Sequence, residues 1–199
     1  MRGKVILPVS YFPSVGYFRI INSAEKIFIE ARENYPRQTC RNRCRILAPD
    51  GPMYLTVPVI KVIRPATPVM KAETDYSKRW QQVHIKALRS CYAASPYYQF
   101  YADTIEGLIM EKETFLFDLD LKIISALMDI LGIVKPFELT DVFEAPEGRD
   151  YDLRYTSDSG LNPEVFRPYP QVFGNNNFFY NLSVLDLLFN MGPESSTWL

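Results

Sequence analysis

One histidine, a run of arginines and a belt of aromatic rings are the residues of this 199-residue chain with the means to do chemistry. His84 lies in the stretch SKRWQQVHIKALRSCYAASPYYQFY, residues 77–101, four positions after Trp80. An imidazole with an ordinary pKa near 6.5 can accept a proton at neutral pH, which makes His84 the natural general base. The alternative is a hydrogen-bonded core histidine packed on Trp80. The most basic segment is RENYPRQTCRNRCRIL, residues 32–47, with Arg32, Arg37, Arg41, Arg43 and Arg45 against the single acid Glu33. In a strand starting near Thr39, side chains alternate, so Arg41, Arg43 and Arg45 share one face and Cys40, Asn42, Cys44 and Ile46 the other. Three aligned guanidiniums repel unless anions sit among them, and the guanidinium fork fits carboxylate or phosphate. The segment therefore reads as an anion clamp of Arg41, Asn42 and Arg43, or as a solvated face with acidic partners from elsewhere in the chain. Tyr11, Tyr17, Trp80 and Tyr92 could stack on a sugar or nucleobase, or pack in the core.

Other chemistries fit less well. No G-x-G-x-x-G and no G-x-x-x-x-G-K-[ST] occurs, so no phosphate-cradling loop is present and no cofactor is assigned. Cys44 beside Arg43 and Arg45 would have a lowered thiol pKa, yet it alternates toward the buried face. Cys40, Cys44, Cys91 and His84 have the composition of a zinc set. His84 and Cys91 are however two helical turns apart, about 11 Å, and Cys40 and Cys44 in one strand are separated by about 13 Å. The expectation is no metal. Asp118 and Asp120 open an apolar run, where acids complement a helix macrodipole; an active-site carboxylate is the other reading.

The elements that must position these groups follow from periodicity and punctuation. Lys4 to Ser10 and Lys26 to Ala31 read as strands, with a helix between them capped by Ser14 and ending near Ala24. In such a unit, ligands sit at the carboxyl end of the first strand, here Tyr11 and the helix start at Ser14. A crossover between parallel strands would be right-handed. Residues 48–52, APDGP, close a hairpin onto a strand at Met53 to Val59. Residues 60–76 read as an extended linker. The central helix is expected from a Ser77 cap to near Ala94, with Trp80, Val83, His84, Ala87, Leu88 and Cys91 on its buried face. An aromatic helix start at 96–110 and a helix at 114–131 stopped by Gly132 come next, then a short strand at Phe137 to Phe143. Residues 145–176 read as a long ordered loop or lid, and Asn181 to Asn190 as a helix capped by Ser183.

The fold class is thus α/β: an N-terminal strand-helix-strand unit plus a β-hairpin sheet, packed by a helical segment and a C-terminal loop and helix. A chain of this length is expected to be one domain, residues 1–199, with 1–60 mainly sheet-forming, 77–132 helical, 145–176 a loop or lid and 181–190 the last helix. Hydrophobic residues at 47%, 13 Tyr and 13 Phe supply a sizeable core. A net charge of −1 excludes the broad basic surface of a generic nucleic-acid binder. No apolar run reaches the roughly 20 residues of a membrane span, and the N-terminus lacks the long apolar core of a signal peptide. A cytoplasmic protein with reduced thiols is expected.

Four separated pieces, in order, resemble one family. They are Tyr11-Phe-Pro-Ser-Val-Gly-Tyr-Phe18; Asn42-Arg43 before Leu55-Thr-Val-Pro58; the helix with Trp80, His84, Tyr92 and Ser95-Pro96; and Tyr169-Pro-Gln171 with Leu182 to Asn190. Together they are similar to the bacterial WbqC-like family over nearly the whole chain. Two departures stand out: Ser14 where the family usually has Trp, and an acidic stretch from Glu144 to Asp152 where it is usually Gly-rich. The resemblance implies a protein of surface-polysaccharide (O-antigen) gene clusters, with a suggested transfer of an acyl or aminoacyl (glycyl) group to an activated sugar. On that reading His84 is the base and Arg43 holds an anionic or nucleotide-activated substrate, with Tyr11, Tyr17, Arg41, Asn42, Trp80 and Tyr92 lining the site. The competing reading is a non-catalytic binding or assembly protein that meets a protein partner through its aromatic and Arg surface.

Overall fold

The computed structural model describes residues 2–60, 67–143, 154, 166–174 and 177–199. In chain order its elements are β1 (Arg2–Pro8), α1 (Val15–Ser23), β2 (Ala24–Glu30), β3 (Arg43–Ala48), β4 (Gly51–Thr56), α2 (Trp80–Tyr92), α3 (Tyr98–Met110), α4 (Leu116–Ile130), β5 (Phe137–Leu139) and α5 (Val184–Met191). The fold is mixed α/β. β1 and β2 pair in parallel with Val5 opposite Ile27 and Leu7 opposite Ile29, which settles the orientation the sequence left open. β5 adds in parallel to the other side of β2, giving the order β1-β2-β5. The hairpin β3–β4 is a separate antiparallel sheet closed at Pro49-Asp50, with Ala48 opposite Gly51. Gly51 takes φ 115°, a backbone state that only glycine adopts without strain.

Alternation decides which sheet face is buried. Val5, Leu7, Ile27 and Ile29 face the core and are almost wholly covered. Lys4, Ile6, Phe28 and Glu138 occupy the opposite face, where they line a groove of about 200 Å³ with Glu30 and Thr140. Among the described residues no helix is long and apolar enough to cross a membrane.

The two capping serines act as the sequence indicates, and they do so as a pair. Ser14 Oγ accepts from Tyr17 N, and Ser183 Oγ accepts from Leu185 N. The segments before α1 and α5 also form an antiparallel bridge, Ser14 to Ser183. Through it Val15 N donates to Leu182 O at 2.9 Å and Val184 N donates to Pro13 O at 2.8 Å. Gly16 N donates to Asn181 Oδ1 at 2.9 Å, and Ser183 Oγ donates to Phe12 O at 2.9 Å. The N–H groups that a helix start leaves unpaired are thus shared out between two helices.

Several expectations are corrected. Ser77 does not cap α2: its hydroxyl and its N–H both donate to Asp75, and the helix starts three residues later at Trp80. Val83 is 59% exposed, and Gln81 is buried in its place because Gln81 Nε2 can donate to Ile109 O at 2.7 Å. The strand expected from Thr39 begins only at Arg43, and residues 37–42 form turns. Residues 67–76 are no loose linker: they hold a 3-10 turn at Val69–Lys71 and the bridges Asn34–Pro68, Val59–Thr74 and Glu73–Phe115. The expected loop or lid at 145–176 lies largely outside the described residues.

A buried carboxylate ties the helical half to the hairpin. Asp186, on α5, accepts from Tyr92 Oη at 3.0 Å, Tyr169 Oη at 2.7 Å and Gln171 Nε2 at 2.8 Å. Tyr92 Oη in turn accepts from Leu47 N at 3.0 Å. At the end of α5, Gly192 has φ 57° and lies on the Tyr97 ring, so a Cβ there would meet both strain and a clash. Removing the carboxylate leaves two buried phenol donors, each costing about 1–3 kcal/mol, and takes one acceptor from the half-buried Gln171 amide. Asp186→Ala is therefore expected to lower stability by roughly 3 kcal/mol or more, and Tyr169→Phe by about 1 kcal/mol, read from urea unfolding.

Candidate functional site

The loop leaving β1 sets the site. Tyr11 N donates to Cys40 O at 2.9 Å and Ser10 Oγ donates to the same carbonyl at 3.2 Å, tying the loop to the turns before β3. Phe12 then takes φ 39°, which for an aromatic residue is strained. Tyr11 points inward, where its ring meets Trp80 edge-on at 6.2 Å and His84 at 5.6 Å. Trp80 and His84, one turn apart on α2, are 5.1 Å apart. Three of the sequence-predicted residues therefore meet.

Hydrogen bonds fix the state of His84. Its Nε2 is 3.2 Å from Thr56 O, which can only accept, so Nε2 carries the proton. Its Nδ1 then accepts from Tyr11 Oη at 2.9 Å. Burial pushes the imidazole pKa down to about 4, against the small upward pull of the Thr56 carbonyl. Burial, with the charges of Cys44 and Asp120 behind it, drives the Tyr11 phenol well above its ordinary value. Both partners are neutral at pH 7.

The arginines separate. Arg41 lies in the turns, buried, with Nε and Nη2 each 2.7 Å from the two Glu33 carboxylate oxygens. Its Nη2 also donates to Arg154 O at 3.1 Å. Arg154, also buried, pairs with Glu30 at 2.5 Å, and Glu30 accepts from Thr140 Oγ1 and Arg32 N as well. The expected row of three guanidiniums is therefore absent, because the one acid of the segment reaches back across the turn to take Arg41. Arg43 donates to Gln38 O and lies over the Tyr54 ring at 5.0 Å. Neither Arg43 nor Arg45 meets a carboxylate among the described residues. Both line a shallow depression at the carboxyl end of β1 with Ser10, Tyr11, Phe12 and Asn181. The described residues with positive φ other than glycine are Phe12, Gln38 and Asn181. All three border this depression or hold its arginine.

Homology follows the same lines. The sequence pattern of the WbqC-like protein family matches residues 9–158. The chain belongs to the WbqC-like protein family. A protein of Mycobacterium tuberculosis (strain ATCC 25618 / H37Rv), "Uncharacterized protein Rv1507c", is 27% identical over 229 aligned positions, covering 100% of this chain and 98% of the relative. No solved structure matches. In this WbqC-like chain the four pieces that carry the resemblance join in space: Tyr11 to His84, Asn42 Nδ2 to Val57 O, Tyr92 to Asp186, and Ser14 to Ser183.

Other candidate residues are used by the fold. Tyr17 Oη donates to Pro8 O at 2.9 Å, and Tyr92 belongs to the Asp186 cluster. Asn42 Oδ1 is buried without a partner. Sequence reasoning missed Glu30, Glu33 and Arg154 as a linked pair of ion pairs, and Asp186 as a hub. A lone acid among five arginines was a usable signal for Glu33. Asp120 is fully buried and lies beyond the first turn of α4, whereas Asp118 is exposed within it. The α4 period itself places Asp120 on the apolar stripe with Leu116, Phe117, Ile123, Ile124 and Leu127. Among the described residues no three His, Cys, Asp or Glu side chains are grouped to hold a metal ion.

The His84 environment carries a pH signature. Its folded pKa, about 4, lies below the unfolded value near 6.5, so the unfolded chain takes up the proton first on acidification. Stability present above pH 6.5 is lost as pH falls toward 4, by about 3 kcal/mol for this group. Asp120, whose burial raises its pKa, acts in the opposite sense over this range. The difference between wild type and His84→Gln isolates the histidine: the acid-side loss in urea-derived stability should flatten in the variant.

Proposed function

We propose that this WbqC-like chain is a cytoplasmic transferase that docks the anionic part of an activated substrate at Arg43 and Arg45. In its finer form, suggested by the family resemblance, the acceptor is an activated sugar of surface-polysaccharide biosynthesis and the group moved is acyl or aminoacyl, such as glycyl. The observation that carries the reading is the depression itself: two arginines without carboxylate partners among the described residues, with the strained Phe12 on its rim, at the sheet end where α/β folds bind ligands. In such a transfer the acceptor oxygen bonds to the acyl carbon, its proton passes to a base, and the bond to the leaving group breaks. Fixed donors then stabilise the anion that develops. His84 is unprotonated at neutral pH, as a base must be, but it can take a proton from an acceptor only by releasing Tyr11.

That closure of His84 favours the second reading, a non-catalytic binding or assembly protein in which His84 positions Tyr11. The two readings separate in a thermal-melt screen of the chain against nucleotide-sugars, nucleoside triphosphates, acyl-CoA and glycine, repeated on Arg43→Ala. A ligand at a hundred times its Kd stabilises by about 2.7 kcal/mol. The transferase reading expects a shift with an activated sugar or acyl donor that is lost in Arg43→Ala. No shift with any compound defeats it and directs attention to protein partners.

A further inference from the structure

The four rings that the sequence suggests for stacking, Tyr11, Tyr17, Trp80 and Tyr92, are all buried in the core and offer a ligand no face. Tyr54, on β4, does the reverse. It is 51% exposed, and Arg45 lies directly opposite it across the hairpin. Side chains alternate along a strand, so Arg43, Arg45, Tyr54 and Thr56 share the outward face. Cys44, Ile46 and Leu55 take the inward face and are buried. Directly opposed residues of an antiparallel pair have Cβ atoms about 5 Å apart, close enough for one ligand to touch both.

Arg43 joins this ring to the depression. Its guanidinium carbon lies 5.0 Å from the centre of the Tyr54 ring, and the same residue lines the depression beside Arg45. Of the guanidinium's N–H groups, those on Nη2 serve Gln38. Guanidinium and ring hold each other in place, which lowers the ordering cost for a ligand that meets both. Thr56, opposite Arg43, is exposed, and its carbonyl accepts from His84 Nε2, so the strand that carries Tyr54 is tied to α2.

Two guanidiniums beside an open aromatic ring match a ligand that is anionic at one end and flat at the other. Guanidiniums pair with phosphate oxygens through parallel N–H bonds, and an aromatic ring stacks on any nucleobase. We propose that Tyr54 is the stacking platform for the base of a nucleoside diphosphate whose phosphates are held by Arg43 and Arg45. This rests on the reading of Arg43 and Arg45 as the anion dock, and it adds the substrate class: a nucleotide rather than a simple phosphate or carboxylate.

The test is calorimetric titration of the full chain with pyrophosphate, uridine diphosphate and adenosine diphosphate, repeated on Tyr54→Leu, Tyr54→Trp and Arg43→Ala. In the wild type both nucleotides should bind at least about fivefold more tightly than pyrophosphate, the gain that one stacked base supplies. Tyr54→Leu should bring the nucleotides down to the pyrophosphate level while pyrophosphate binding stays in place, and Tyr54→Trp should restore the preference. Arg43→Ala should weaken all three ligands. Uridine diphosphate glucose and coenzyme A carry a base and diphosphate in a sugar donor and an acyl donor, and the tighter of the two names the source. Equal binding of pyrophosphate and nucleotides by the wild type overturns the proposal even where a variant fails to fold. So does a nucleotide preference that survives Tyr54→Leu; in both cases the Arg43 dock still stands. No binding of pyrophosphate or nucleotide by the wild type defeats the dock itself, and the proposal with it.

Discussion

Two helix starts at opposite ends of the chain complete one another, and the candidate site depends on that constraint. A helix start leaves N–H groups that must find acceptors, and here α1 and α5 supply each other's through the Ser14–Ser183 bridge. The exchange fixes the loop from Ser10 to Ser14, holds Phe12 in its strained conformation and turns Tyr11 into the interior. It also closes a route that the sheet topology would otherwise offer. The α1 N-terminus sits where a parallel α/β unit binds anions, but Val15 and Gly16 already donate to Leu182 and Asn181. Among the residues lining the depression, Arg43 and Arg45 carry the positive charge.

The buried polar groups divide by how well they are satisfied. Asp186 has three donors, Glu33 has both oxygens on Arg41, and Glu30 has Arg154, Thr140 and Arg32 N. Groups bonded this fully cost much to break and tie distant segments together, which suits a structural role. His84 belongs with them, since each ring nitrogen has one partner. Asp120 stands apart, buried with neither carboxyl oxygen bonded. Arg154 has a particular place, because its guanidinium serves Glu30 while its carbonyl serves Arg41. The two ion pairs at the carboxyl end of β2 thus share a single residue.

Local signals carried most of the architecture and tertiary ones decided the site. The strands, the hairpin turn at Pro49-Asp50 and both serine caps follow from alternation and turn chemistry that lie within a few residues of each other. The meeting of Tyr11, Trp80 and His84 was legible because Trp80 and His84 share a helix face and Tyr11 follows a buried strand. The fate of the arginines was not, because alternation assumes a strand and residues 37–42 turn instead. Gln81 displaced Val83 from the interior through a hydrogen bond to a carbonyl 28 positions away, which no helical period can report. Asp120 shows a different failure: its position on the apolar stripe was plain, but its residue type argued for the surface. The partners of Tyr92 could not be read at all, since Asp186 lies 94 positions further on.

The separation between Phe12 and Ser183, 171 positions, has a consequence for how the protein is made. Chains leave the ribosome from the N-terminus at about 5–20 residues per second. The loop after β1 emerges early and its bonds to Cys40 lie close in sequence, but its hydrogen bonds to residues 181–184 await the last twenty or so residues. For most of its synthesis the nascent chain therefore carries a strand-helix-strand unit whose loop is only partly bonded. A nonsense codon anywhere between His84 and Asn181 would remove the α5 side of the loop's support, although Tyr11, Arg43 and His84 would all have been translated.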